Sequence, residues 1–213
     1  MPESQDVVIY GAGGHGRVVL DAALRVPGLR VVGVIDDAST LRGQRLLTTE
    51  ILGDVSVLSE PRFRLCRVVV AIGDPASREA AAARVAAAGL GFAAIVHPTA
   101  FLAYGVSLGE GAMVLPMAVV HTGGSIGAHA IVNTGAIVEH DCRVGDYAHV
   151  APGARLGGGV IVGRAALVGI GASILPGVRV GECAVVGVGA AVISDVRAGA
   201  VVGGSPARIL KGS

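Results

Sequence analysis

From Leu102 onward every sixth residue is Leu, Ile or Val: Leu102, Leu108, Val114, Val120, Ile126, Val132, Val138, Val144, Val150, Leu156, Val162, Val168, Ile174, Val180, Val186 and Val192. Two residues before each stands Ala, Gly, Cys or Val, from Ala100 and Val106 to Ala190. A period of six fits neither an amphipathic helix nor a heptad repeat, and a low-complexity Gly/Ala/Val tract would not hold phase over this length. A longer period lies on top: Leu108, Ile126, Val144, Val162 and Val180 are eighteen apart, and Gly follows each. Eighteen residues therefore make one coil of three sides, each side a short strand and a tight turn. The aliphatic residue points into a narrow triangular core and the small residue fits where a corner leaves little room. Coils stack at the spacing of paired strands, about 4.8 Å.

Composition narrows what such a chain can meet. Hydrophobic residues make up 52% and charged residues 15%, a thin polar surface of the kind that hides apolar area in an oligomer. A net charge of +1 with 3% aromatics and no Trp gives no footprint for nucleic acid or an anionic membrane. Gly111 to Val138 contains no Asp, Glu, Lys or Arg, yet its recurring Gly, His, Asn and Thr and its six-residue phase argue against a membrane span. The start, MPESQDVVIY, is acidic before its first apolar run, unlike a signal peptide. Three cysteines, Cys66, Cys142 and Cys183, make no even framework and point to a reducing cytoplasm.

The first half alternates β and α patterns. Residues 6–10 read as a buried strand, the Ala/Val/Leu stretch after Gly16 to about Val26 as a helix, 30–35 as a second strand, 67–72 as a third, Ala76–Ala88 as a helix and 92–96 as a last strand. That order predicts a small Rossmann-like α/β domain over 1–97, followed by an all-β parallel helix over 98–213. Gly11, Gly13 and Gly16 fit G-x-G-x-x-G, with Asp36 twenty residues beyond and Asp37 next to it. Bare glycines bring backbone N–H groups close to phosphate at a helix N-terminus. A dinucleotide needs two mononucleotide halves, and the repeats begin before a second half can form. One half suits a mononucleotide or a nucleotide-sugar diphosphate better than NAD. A purely structural tight turn is the alternative.

Of six histidines, His140 has the best surroundings for acid–base work. It stands in Val138-Glu139-His140-Asp141, one of few charged islands among the repeats, and an adjacent carboxylate fixes an imidazole tautomer. By the eighteen-residue arithmetic Thr122 lies below it and Gly158 above, inside Gly157-Gly158-Gly159. Gly158 leaves a notch and bares an N–H that suits an oxyanion. A solvated turn histidine is the plain alternative. His149 could touch an acyl group or pack on the surface, His121 stacks on Glu139, and His129 reads as structural or exposed. His97 reads as a linker residue, and His15 as a phosphate or sugar contact or a surface turn residue. Cys142 occupies a small-residue slot and reads as core, which argues against a covalent acyl-enzyme; Cys183 looks equally inert.

With both halves in view, the chain resembles the sugar O/N-acyltransferases with left-handed parallel β-helices, typified by sialic acid O-acetyltransferases and nucleotide-aminosugar N-acetyltransferases. The resemblance rests on Tyr10–Gly16, Asp36-Asp37, Gly73–Arg78, His97–Ala100 and, most specifically, Asn133–Cys142 (N-T-x-x-x-x-E-H-D-C). Asp141 stands where some members carry Glu. The resemblance implies the left-handed sense of the coil, a homotrimer, and acetyl-CoA as co-substrate with no metal. It also implies His140 as general base supported by Asp141, and Asn133 and His149 lining the acetyl site between adjacent subunits. The Gly158 amide would bind the thioester oxygen. Ile170 would approach adenine, and the Pro206 tail matches an ending common in the family. Gly11, Gly13, His15, Gly16, Asp36 and Asp37 would hold the nucleotide-sugar. The expected reaction is N-acetylation of a nucleotide-linked amino-dideoxy sugar. O-acetylation of a sialic-acid-type sugar is the rival, and an NAD oxidoreductase or an inactive scaffold lies further off.

Overall fold

A computed structural model describes residues 4–211, in two compact units, Met1–Pro98 and Thr99–Ser213.

The first unit holds a three-stranded parallel sheet in the order Leu29–Ile35, Gln5–Tyr10, Arg67–Val70. Its strands are the continuous Val/Ile runs expected of a sheet covered on both faces. Val7, Val8, Ile9, Val34, Ile35, Val68, Val69 and Val70 are wholly out of solvent. Helices Gly14–Ala23 and Pro75–Ala87 follow the first and third strands. The second begins on a Pro at its first turn and an Asp74 side chain that accepts from Ser77 N at 2.8 Å, a local start signal. A short hairpin, Arg45–Leu46 with Thr49–Glu50, and three short 3₁₀ segments, Ser39–Leu41, Val55–Ser59 and Pro61–Phe63, fill the stretch before the third strand. The final strand of this unit is only Ile95–Val96, with Phe92 making an isolated bridge to Val68.

The second unit is a solenoid of two-residue strands in three parallel sheets. The first sheet stacks Phe101–Leu102, Val119–Val120, Ile137–Val138, Arg155–Leu156, Ser173–Ile174 and Ala191–Val192. The second stacks Ser107–Leu108, Ser125–Ile126, Arg143–Val144, Ile161–Val162 and Arg179–Val180. The third runs from Met113–Val114 through Ile131–Val132, His149–Val150, Leu167–Val168 and Val185–Val186 to a terminal antiparallel pair, Val201–Gly203 with Arg208–Lys211. Each residue pairs with the one eighteen positions on, as in Val120 with Val138 and Val132 with Val150.

The two sequence periods have separate physical causes here. The six-residue aliphatic series is buried from Val114 to Val192, and only Leu102 and Leu108, at the open end, are half-exposed. The small-residue slots are buried from Ala112 to Ala190. The eighteen-residue glycines answer to backbone crowding. A Cβ on Gly109, Gly127, Gly145, Gly163 or Gly181 would lie 2.4–2.8 Å from a main-chain nitrogen of the next coil. Corners are closed by a second ladder, in which the N–H of one coil donates to a carbonyl nineteen residues earlier: Asp141 to Thr122 at 3.0 Å, Gly159 to His140 at 2.8 Å and Gly177 to Gly158 at 2.9 Å.

Candidate active site

Those three bonds put Thr122, His140 and Gly158 on one edge of the prism, where the first sheet turns into the second, as the eighteen-residue spacing requires. His140 Nδ1 lies 2.9 Å from Asp141 Oδ2. A carboxylate can only accept, so the Nδ1 proton faces Asp141 and the Nε2 lone pair is left available. Both side chains are open to solvent, 61% for His140 and 75% for Asp141. Nε2 points over Gly158: a Cβ there would fall 2.5 Å from Nε2 and 2.6 Å from Cε1. The amide N–H groups of Gly157 and Gly159 are spent on Ile174 O and His140 O. Among the described residues the Gly158 N–H has no acceptor. One edge therefore presents an imidazole with a free ring nitrogen, the carboxylate that orients it and an uncommitted N–H donor side by side.

The other repeat-region residues sort around this edge. Cys142 is fully buried, its thiol donating to Gly157 O at 3.1 Å, and burial pushes its ionisation upward, so it is no nucleophile at neutral pH. His121 Nε2 lies 4.0 Å from Glu139 Oε1, the pairing expected of stacked residues. Asn133 Nδ2 lies 3.0 Å from His149 Nε2, while Asn133 Oδ1 accepts from Thr134 N at 2.8 Å. Asn133 is buried and opens the corner between the third and first sheets; His149 faces outward from the third sheet. Within one chain this pair is on the far side of the prism from His140. Ile170, half-exposed, sits at the same corner as Asn133, its carbonyl accepting from Gly189 N. Pro206 is exposed in the link between the terminal strands.

Of the two readings of His129, structural or exposed, the first holds. His129 is buried, 3% exposed, and stacks on Tyr147 with ring centroids 5.0 Å apart, and the Arg164 guanidinium lies over the Tyr147 ring, 5.2 Å from its centroid. Cys183 is exposed, because it falls one residue short of the small slot at Ala184 and takes a left-handed corner conformation, φ +55°.

In the first unit the glycines divide by function. Gly11, at φ +118°, has room for no Cβ, which would meet Ala71 O at 2.8 Å, and a Cβ on Gly16 would strike Gly11 O at 2.0 Å. These two build the turn. Gly13 and Gly14 have nothing within 4 Å of a built Cβ, so the helix N-terminus is bare on the side where a phosphate would approach. The Asp36 carboxylate accepts from Ala12 N at 2.7 Å and Ala38 N at 2.9 Å, clamping the turn to the second strand. Asp37 accepts from the Tyr10 hydroxyl at 2.9 Å and from the Arg84 guanidinium. Burial and the Asp37 carboxylate push the Tyr10 phenol up from its ordinary value. His15 is pushed down to about 4 by burial and by the Arg78 charge, so it is a neutral hydrogen-bonding group, not a cation. Arg78 is wholly buried and donates to the carbonyls of Ile72 and Gly73 at 2.7 and 2.8 Å. Sequence alone does not mark Tyr10, Arg78 and Arg84 as site residues: Tyr10 and Arg78 lie at the edges of motifs, and Arg84 becomes relevant only through a contact across forty-seven residues.

The PglD N-terminal domain family matches residues 6–85. A histidine-to-asparagine variant of perosamine N-acetyltransferase from Caulobacter crescentus, solved with CoA and GDP-perosamine, is 37% identical over 98% of this chain and 97% of its own, with a TM-score of 0.91. WeeI from Acinetobacter baumannii AYE is 30% identical over 97% of this chain and 100% of its own, TM-score 0.88. The acetyltransferase domain of PglB from Neisseria gonorrhoeae FA1090 is 29% identical over 97% and 100%, TM-score 0.89. No curated protein sequence matches.

Proposed function

The chain belongs to the left-handed β-helix acyltransferase family, and on that premise we propose that it transfers acetyl from acetyl-CoA to the amine of a nucleotide-linked amino-dideoxy sugar. The observation that carries the reading is the His140 ring, oriented by Asp141 and seated over the bare backbone of Gly158. His140 Nε2 takes the proton from the amine as the nitrogen bonds to the thioester carbonyl carbon. Asp141 holds the ring and stabilises the imidazolium that forms. The Gly158 N–H donates to the oxygen as it gains charge. When the C–S bond breaks, His140 returns the proton to the departing sulfur. Transfer is direct, because Cys142 is buried and neutral.

Asn133 and His149 stand on the opposite side of the prism from their own chain's His140, so a site using all three is built from two copies. A homotrimer supplies that arrangement three times over, with Ile170 and Pro206 toward the adenine end of the co-substrate. The nucleotide-sugar is assigned to the first unit, with its diphosphate at Gly13, Gly14 and His15. Asp36 and Asp37 shape that site through the turn and through Tyr10 and Arg84. The setting is the cytoplasm, where activated sugars for cell-surface polysaccharide are made.

The test is thiol release against a panel of GDP-, UDP- and dTDP-linked amino sugars. Native protein turns over one of them, and His140→Ala loses about 10²–10⁴ of that rate while keeping its oligomeric state. Near-native turnover by His140→Ala would overturn the assignment.

A further inference from the structure

The edge that carries His140 contains a second pattern that none of the motifs includes. One position in each coil along it has a left-handed backbone: Gly105 at φ +78°, Gly123 at +72°, Asp141 at +59°, Gly159 at +70° and Gly177 at +74°. Four of the five are glycine, the residue that takes this conformation at no steric cost. The exception is the carboxylate that orients His140. A strained residue amid unstrained equivalents marks a place where the side chain is needed.

Directly below Asp141 is Gly123. A Cβ on Gly123 would lie 2.5 Å from Asp141 Oδ1 and 3.4 Å from its main-chain nitrogen. The carboxylate thus occupies the volume that a side chain at 123 would take. The neighbouring glycines differ: around Gly105, Gly159 and Gly177 nothing lies within 4 Å of a built Cβ. All share the backbone requirement, and only Gly123 has a functional group leaning into its vacancy.

We infer that Gly123 is a positioning residue for the acid–base pair: its missing side chain is the slot in which the Asp141 carboxylate turns toward His140 Nδ1. The inference rests on His140 acting as the base. Alanine at 123 displaces Oδ1 by about 1 Å to reach ordinary contact, and Asp141, three-quarters exposed, yields by swinging away from the ring rather than by moving the coil.

The experiment compares Gly123→Ala, Gly105→Ala, Asp141→Gly and the double variant Gly123→Ala/Asp141→Gly, each as the full chain. Melting temperature, oligomeric state, kcat and the KM for acetyl-CoA are measured for all. Gly105→Ala carries the same backbone penalty as Gly123→Ala and so loses a similar amount of melting temperature, with kcat within twofold of native. Gly123→Ala loses tenfold or more in kcat with KM within twofold. Asp141→Gly, which returns the edge to an all-glycine column, loses a comparable factor in kcat while its melting temperature holds or rises. The double variant is no slower than Asp141→Gly alone, because the slot matters only when a carboxylate fills it. Equal kcat in Gly123→Ala and Gly105→Ala, or losses that multiply in the double variant, would overturn the inference. Full activity in His140→Ala would instead overturn the reading beneath it.

Discussion

Replacing Gly158 by Ala separates catalysis from folding at a single atom. The added Cβ would lie 2.5 Å from His140 Nε2, 2.6 Å from Cε1 and 3.1 Å from Cδ2. Ordinary van der Waals contact begins near 3.4 Å, so the ring must retreat by about 1 Å. The coil cannot absorb this, since Gly157 and Gly159 on either side are tied to Ile174 O and His140 O. The imidazole, 61% exposed, swings outward into water instead. Misplacing a catalytic group by 1 Å costs about 10²-fold in rate, and the Gly158 N–H is untouched, so the loss falls on proton transfer. Stability moves the other way. Gly158 lies outside the left-handed region, and glycine-to-alanine at a compatible site stabilises by about 0.4–1 kcal/mol through the unfolded chain. Thiol-release kinetics and thermal unfolding on the same preparation should show kcat down about a hundredfold with the melting temperature unchanged or slightly raised. Turnover within threefold of native would refute the placement of His140 over this backbone.

Three further outcomes follow from the first unit and the core. His15 titrates at about 4 in the folded chain against about 6.5 unfolded; its neutral form therefore contributes stability that is complete above pH 6.5 and is lost as pH falls toward 4, about 3 kcal/mol in all. Urea midpoints measured from pH 7 to pH 4 should fall less steeply in His15→Asn than in the native chain. Arg78→Ala removes the donors to Ile72 O and Gly73 O from a site with no water access and leaves a large cavity, so denaturant unfolding should show a loss of about 3–5 kcal/mol. Leu156→Ala, in the closed triangular core and 1% exposed, should cost about 2–5 kcal/mol with kcat per folded molecule retained.

The β-helix was legible because its constraints are one-dimensional. Every coil repeats the same three inward positions, so a residue's environment depends on its place modulo six and its stacking partner on its place modulo eighteen. That is why the His140, Thr122 and Gly158 alignment follows from subtraction alone. The arithmetic says nothing about φ, and the corner residues whose burial it leaves open are of that kind. His129, Tyr147, Ala165 and Cys183 share one corner in the left-handed conformation, and whether such a residue is buried depends on what leans over it. His129 lies under Tyr147, whereas Cys183 is exposed.

The first unit resisted for a different reason. In a parallel α/β sheet the partner of a strand end is set by crossover geometry, not by a repeat. Asp36 and Asp37 are adjacent in sequence and alike in charge, yet one clamps the Gly-rich turn through Ala12 N while the other is gripped by Tyr10 and Arg84. Both lie just past the end of the second strand, Leu29–Ile35, where the chain leaves the sheet, so a pair that reads as one acidic patch is two separate devices. The glycines split likewise: Gly11 and Gly16 close the turn against the backbone, and Gly13 and Gly14 stay open. A fingerprint drawn from residue types alone merges the group that builds the turn with the group left over to meet a ligand. The distinction needs the third dimension, and it shows where substitution should act on folding and where on the substrate: Gly16→Ala on the first, Gly13→Ala on the second.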